Sequence, residues 1–508
     1  MSVPIERDWL QAAGAGMNRH EAITAAFERG IAEGRIAPGS RLPTVRSLSA
    51  ELGVSGATAA AAYQLLGQRG WTRGEVGRGT FVIGQPSATG EPSAHGSASV
   101  PLHPHPPTVL RAPWRRRAML VSAARLRAAH PHALDCTSGK PDPTLLLADI
   151  FVRSWRRAID ETDSFDLQYA SPEPVAALAQ ALTPRLHRDG ISTAGGEMVV
   201  GSSAQQLMVL SLSILPALAK GPSKRVAVEE PGYQTVFDAF ERMGYRLVGM
   251  AVDDEGVIPD ALDAALADGA QAALFTPRAQ NPYGSSWSPR RRLDLANVLA
   301  AYPGVVAIED DQFADLAQAR PGSLLNDARL AERVIYIRSF AKAIAPDIRI
   351  AVALACPRLR NLLAEAKSFS DGWSPRLSQR ALAHLLADPD VDEALSHARQ
   401  RYANRRVAAM RTLTSQLATV GGTVKGGDGL NLWIRLMPGT DAGHLIERAA
   451  SLGVLVAPGE PFFIRPGHND VVRMSISGVN EKDAVHAAER LAHAALTTSS
   501  VPATSIPI

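Results

Sequence analysis

Only two cysteines, Cys136 and Cys356, occur in 508 residues, and no grouping of Cys with His has zinc-ligand spacing. A disulfide framework is thereby excluded, and so is a structural zinc site. No long hydrophobic run is present either. The longest, around "LMVLSLSILPALA", is too short and too polar to span a bilayer, and the N-terminal "MSVPIERDWLQAAG" lacks the apolar core of a signal peptide. A soluble, cytoplasmic protein with no membrane partner is expected. Nor does one charge dominate: the formal net charge is +3, so the chain as a whole does not advertise a polyanionic ligand. What is present is ordinary globular composition, 46% hydrophobic and 20% charged, with length enough for two or three domains and a sizeable core.

The charge that matters is local. The first 83 residues contain no lysine, and nine arginines stand against seven acids. A Pro-, Ser-, Gly- and His-rich stretch follows, with six arginines and one acid, Glu91. That composition cannot bury enough apolar surface to offset ordering entropy, so residues 85–133 read as a flexible basic linker, either a solvated tether or one that also lies along phosphates. From about 134 the pattern is α/β. Short β-rich runs ("RVAVEE", "AALFTP", "GVVAIEDD", "RVIYIRSF") alternate with amphipathic helices, which implies parallel strands. A smaller α/β portion begins near 390, and residues 496–508 read as a disordered tail. The expected domains are thus 1–84, the linker 85–133, 134–495 and the tail.

Within 1–84 the helix boundaries have causes. Pro38-Gly39 cannot continue a helix, Thr44 and Ser55 are good N-caps, and "TRGEVGRGTFV" carries the glycines of a tight hairpin. Two helices joined by a short turn and followed by a hairpin make a winged helix-turn-helix. The second helix, from Ser55 with Thr58 one turn on, would read DNA, while Arg46 and the wing residue Arg78 would meet phosphates. "RLPTVRSLS", "LGVSGATAAAAY" and "GRGTFV" closely resemble the GntR class of bacterial transcription factors. The resemblance implies double-stranded promoter DNA as partner, contacted by Thr44, Arg46, Ser55, Thr58, Arg78, Gly79 and Thr80. One departure is plain: Gly56 stands where that class usually has a DNA-contacting arginine, and four alanines, Ala59 to Ala62, follow.

In an open α/β sheet, ligands bind outside the carboxyl ends of the strands. "EMVV" is followed by "GSSAQQ", small residues opening a helix, suited to a phosphate. "RVAVEE" is followed by "PGYQ" with Tyr233, "AALFTP" by "RAQNPYG" with Asn281, and "GVVAI" by the carboxylates of "EDD". "RVIYIRS" leads into "FAKAIAPDIRI", which contains Lys342 and Arg349. A phosphate cradle, an aromatic platform, an amide, a carboxylate, an amine and a guanidinium together meet the needs of pyridoxal 5′-phosphate (PLP), whose aldehyde wants a lysine and whose pyridine nitrogen wants a carboxylate.

Residues 134–495 resemble fold type I, aspartate-aminotransferase-like proteins, and the whole chain resembles the MocR subfamily of GntR regulators. That resemblance implies the catalytic-type lysine Lys342 as covalent anchor, Asp310 at the pyridine nitrogen, Tyr233 on the ring and Asn281 at the 3′-oxygen. It places Ser203, Ala204, Gln205, Ser339 and Arg349 at the phosphate. Tyr169 would reach a neighbouring subunit's phosphate, which implies a homodimer, and Arg473 would clamp an effector carboxylate. Gln312 and Ala341 depart from the tyrosine and serine usual there, whereas Asn281 matches working aminotransferases. The expected function is a transcriptional regulator sensing an amino compound or PLP, with no physiological turnover beyond an aminotransferase half-reaction. The alternative is an aminotransferase with an autoregulatory or decayed DNA-binding module.

Overall fold

In the computed structural model the described residues are 18–83, except 34, 38, 69–70 and 76–78, and 114–499, except 219–222 and 438–439. They fall into two compact units, within residues 1–105 and 106–508.

The first unit packs Ile, Leu, Phe and Val side chains around two alanines of one helix. α1 (Arg19–Ala32) presents Ile23, Phe27 and Ile31 on one face. α2 (Val45–Leu52) starts at Thr44, whose hydroxyl accepts from Ser47 N at 3.1 Å, and stops at Gly53, whose φ of +62° few other residues adopt. α3 (Gly56–Gln68) starts at Ser55, whose hydroxyl accepts from Thr58 N at 3.1 Å. The alanine run now has a reason: Ala59 and Ala62 are fully buried, and Thr24 of α1 donates to Ala62 O at 3.3 Å, an approach that larger side chains would block. β1 (Thr72–Glu75) and β2 (Gly79–Val82) pair antiparallel as the wing, and Arg41 bridges to Phe81. The winged helix-turn-helix is as the sequence implies. Arg78 lies outside the described residues.

The second unit departs from expectation at its start. Residues 114–129, assigned to the flexible linker, form α4 (Trp114–Ala129), followed by β3 (Leu134–Cys136). The physical reason is Arg115, a charged residue that reads as solvated but is fully buried on carboxylates and carbonyls of the α/β body. At the other end the last helix, Glu481–Ser499, runs past the expected limit at 495, because Ala494 and Ala495 keep its apolar face buried. The rest of the expected tail lies outside the described residues.

The large sheet comprises β4 (Glu197–Gly201), β5 (Arg225–Glu230), β6 (Arg246–Asp253), β7 (Gly256–Val257), β8 (Ala272–Phe275), β9 (Val306–Asp311), β10 (Val334–Ser339) and β11 (Ala351–Ala355). Their spatial order is 4-11-10-9-8-5-6-7. The sheet is mixed rather than wholly parallel. β11 lies antiparallel between β10 and β4, because the chain turns back directly through the short turn Pro346–Ile348 instead of crossing over by a helix. Every residue of β8, β9, β10 and β11 is buried, as strands covered on both faces require.

A second sheet holds β12 (Thr423–Lys425), β13 (Asn431–Arg435), β14 (Val454–Pro458) and β15 (Val471–Ser475), with β3 joining β14 in parallel. Its closing strand therefore comes from residue 134, far from the C-terminal portion it completes. No helix among the described residues is long and apolar enough to cross a membrane.

Candidate functional site

Register brings the strand ends together. Gly201 of β4 faces Ala351 of β11, which faces Ser339 of β10, and Arg338 beside it faces Asp311 of β9. The segments after β4, β10 and β9, and the one before β11, thus emerge along one edge. A cavity of about 320 Å³ opens there, lined by Tyr233, Asn281, Gln312, Lys342, Asn431 and Arg473 among others.

Lys342 follows β10 in a short turn, and its Nζ donates to Gly139 O at 2.7 Å. Burial pushes its pKa down to about 8; the Arg473 charge adds to the fall and Asp310 opposes it. About a tenth of this amine is therefore neutral, and nucleophilic, at pH 7, far more than for an exposed lysine.

Asp310, on β9, is 3% exposed, and its Oδ1 has no hydrogen-bond partner among the described residues. Burial drives its pKa up to about 7, with Asp311 adding and Lys342 opposing. A buried carboxyl with a bare oxygen is poorly served by the protein alone and suited to a protonated ring nitrogen. It also sets a pH dependence. Since its folded pKa exceeds the ordinary value of 3.8, the ligand-free folded protein binds more protons than the unfolded chain between about pH 4 and 7, and Asp310 costs stability as pH rises through that window. Asp310→Asn should gain on the wild type from pH 4 to 7, by up to about 4 kcal/mol. Denaturant unfolding of ligand-free protein across that range checks this; parallel curves for the two proteins would contradict it.

Arg473, on β15, is 5% exposed and has no carboxylate partner among the described residues. Its Nη2 donates to Thr137 O at 2.7 Å and its Nη1 to Asn281 Oδ1 at 3.3 Å, while Nε has no partner. Burial lowers its pKa to about 10. Such a guanidinium is costly unless an anion joins it. Asn281 Oδ1 also accepts from Asn431 Nδ2 at 3.3 Å, which leaves the Asn281 amide nitrogen as the group available to donate. Tyr233, at the N-cap of helix Gln234–Arg242, has its phenol pKa raised by burial and by Asp310, with Arg116 and Arg473 opposing.

The residues assigned to a phosphate lie beside this cavity, not on its lining. Ser203 caps helix Ala204–Ser213, its hydroxyl accepting from Gln206 N at 3.1 Å. The N–H groups of Ala204 and Gln205, in the first turn, have no intrahelical acceptor and suit an anion. Ser339 is buried at the end of β10 and accepts from Ala341 N at 3.4 Å. Arg349 is exposed and holds φ at +50°, a left-handed conformation that costs a non-glycine residue on the order of 1 kcal/mol. Tyr169 is not on the lining either; it is 87% exposed and edge-on to Trp373 at 5.4 Å.

Sequence reasoning missed one wall. α4 contributes Arg116, Met119 and Ala123 to the lining, and the loop after β3 contributes Thr137 and Gly139. The only signal was the Gly-Lys-Pro-Asp-Pro turn after β3.

In the first unit Arg46 is exposed on α2, beside the exposed Thr44. The exposed positions described on α3 are Gly56, Ala57, Ala60, Gln64 and Gly67, and α3 carries no charged residue at all. A side chain at Gly56 would meet nothing within 4 Å. Thr58 is half-buried, its hydroxyl 2.8 Å from that of Ser55, and Gly79 and Thr80 lie on β2.

Residues 19–82 match the model for bacterial regulatory proteins, gntR family. Across both units the chain is 30% identical, over 464 residues, to the vitamin B6 salvage pathway transcriptional repressor PtsJ of Salmonella typhimurium, covering 91% of this chain and 95% of that one. The chain belongs to the MocR subfamily of GntR regulators. In keeping with that subfamily's second half, it is 28% identical to the 2-aminoadipate transaminase of Thermus thermophilus, over 72% of this chain and 90% of that protein. The multiple substrate aminotransferase of Thermococcus profundus superposes with a TM-score of 0.68 at 23% identity, covering 75% of this chain and 94% of that one, a likeness of fold.

Proposed function

We propose that this MocR-type protein is a PLP-dependent transcriptional regulator: the winged helix binds promoter DNA, and the aminotransferase-like unit senses a small amino compound or PLP itself. The observation that carries the reading is one chain that combines a GntR winged helix with a unit whose cavity is lined by a neutral-prone lysine, Lys342, electrostatically coupled to a buried carboxyl with a bare oxygen, Asp310, which is off the lining.

PLP in this site supplies an aldehyde that amines attack and a ring that withdraws electrons. The protein's part follows from its own groups. Lys342 offers the amine, Asp310 holds a proton at the ring nitrogen, Tyr233 packs on the ring, and Asn281 donates its amide to the 3′-oxygen. The first-turn N–H groups of Ala204 and Gln205, with Ser203, Ser339 and Arg349, take the phosphate, and the left-handed Arg349 is strain retained for that role. Arg473, unpaired and buried, takes an effector carboxylate bidentately.

α4 walls the cavity and is the first described element of the second unit after the winged helix in the chain, which makes it the candidate to carry a change at the cavity toward the DNA-binding unit. The exposed apolar residues Phe165, Leu167 and Tyr169, close in the chain, support a homodimer in which this segment meets a second copy and Tyr169 reaches that copy's site.

With no charge on α3, affinity for DNA rests on arginines around it. Arg46→Ala is expected to weaken binding to the promoter several-fold and to lower the salt slope by about 1. Fluorescence anisotropy at three salt concentrations measures both, and an unchanged slope would take α2 off the phosphates. A second reading, an aminotransferase with a decayed DNA-binding module, draws on Gly56 and that uncharged face; steady turnover well above about 1 per second would favour it.

A further inference from the structure

The cavity at Lys342 is lined by five cationic side chains, Arg116, Arg127, Lys140, Lys342 and Arg473, and by no carboxylate. Three have occupations. Arg127 donates to Asp135 at 2.7 Å and to Thr137 at 2.8 Å. Lys342 and Arg473 belong to the arrangement already described. Arg116 and Lys140 are left over. Only the backbone N–H of Arg116 is engaged, with Asp238 at 2.9 Å, and neither side chain has an ion-pair or hydrogen-bond partner among the described residues.

Both sit on anchored backbone. Arg116 follows the buried Arg115, which clamps α4 to Asp238 and Glu241. Lys140 follows Gly139, whose carbonyl takes the Lys342 amine. Both are exposed while lining the cavity, so they stand at its mouth, and the lining also includes the apolar Met119, Ala123 and Phe313. Arg116 also acts on Tyr233, at the cavity wall, in the same sense as Arg473. Two unpaired like charges held around one opening repel each other, and an anion between them relieves that repulsion where a neutral group does not.

We propose that the site takes an amino acid carrying a second anionic group, with its α-carboxylate on Arg473, its methylene spacer along Met119 and Phe313, and its distal carboxylate, sulfonate or phosphonate on Arg116 and Lys140. This deepens the reading of the cavity as a PLP-dependent effector site and rests on it.

The test uses the full-length, PLP-loaded protein and follows the visible spectrum of the bound cofactor during titration. The probes are L-glutamate, L-cysteate and L-2-amino-4-phosphonobutyrate against the neutral L-glutamine and L-norvaline. Exposed charges contribute up to about fivefold each, so the best dianionic probe is expected to bind about tenfold tighter than the neutral ones. The ratio should fall toward one in the Arg116→Gln, Lys140→Gln double variant and shrink as salt rises. The ranking among the three anions identifies which distal group the site takes. Neutral probes binding as tightly as dianionic ones, or a ratio the double variant does not move, would overturn the proposal while leaving the PLP site standing. A wild-type protein that retains no PLP would instead remove the reading beneath it.

Discussion

Lys342→Ala should give a folded protein that no longer retains PLP. The wild type, loaded with the cofactor and passed over a desalting column, is expected to stay yellow, and borohydride reduction should fix the cofactor on the peptide containing Lys342. The variant should emerge colourless, with cofactor labelling at background. Folding is not at stake: the amine contributes one hydrogen bond, to Gly139 O, and burial already works against its charge. Removing it should therefore change stability by no more than about 1 kcal/mol. Promoter binding by the variant should lose any dependence on PLP or amino compounds. Retained colour with labelling on another lysine would place the cofactor elsewhere.

The second large effect is expected at Arg115. Its guanidinium is 0% exposed; it donates to Phe463 O at 3.0 Å, to Asp238 at 3.1 Å, to Glu241 at 2.7 and 3.2 Å, and to Ile464 O. Arg115→Ala leaves a buried Asp238 and a half-buried Glu241 without their cation, which should cost about 3–5 kcal/mol. Arg115→Lys should recover only part, because a single ammonium cannot satisfy that fork of acceptors. Since α4 hangs on this residue and walls the cavity, the Lys variant should also bind PLP more weakly than wild type. Calorimetry and cofactor titration on the same samples measure the two effects. A loss below about 1 kcal/mol in the Ala variant would mean that α4 is held by something else.

Arg115 also marks what the sequence could and could not convey. The strand ends were legible because β5, β8, β9 and β10 are short, β-rich apolar runs, each with polar candidates at its end or within six residues after it. That pattern singled out Tyr233, Asn281, the carboxylates of "EDD" and Lys342 as candidates, and the choice of Asp310 among the carboxylates came from the family resemblance. The helix boundaries of the first unit were legible for a similar reason: Thr44, Gly53 and Ser55 act on backbone within three residues of themselves. α4 was not legible. Three consecutive arginines after a Pro-rich stretch read as solvated, and only carboxylates more than a hundred residues away turn one of them into an anchor. The antiparallel β11 was missed because alternation of hydrophobicity does not report strand direction. Asn431 and Thr137 were missed because they reach the cavity from a sheet whose strands come from both ends of the unit.

A PLP-dependent regulator requires that occupancy at Lys342 and binding of DNA by the winged helix be coupled. The direct measurement is a gel-shift titration of the full-length protein on its own upstream intergenic DNA, without PLP, with PLP, and with PLP plus a panel of amino compounds. A specific shift whose midpoint moves with PLP or with one of those compounds, and does not move in Lys342→Ala, is the predicted result. A visibly PLP-loaded protein that gives no specific shift at moderate salt, or one whose binding ignores every ligand, would contradict it.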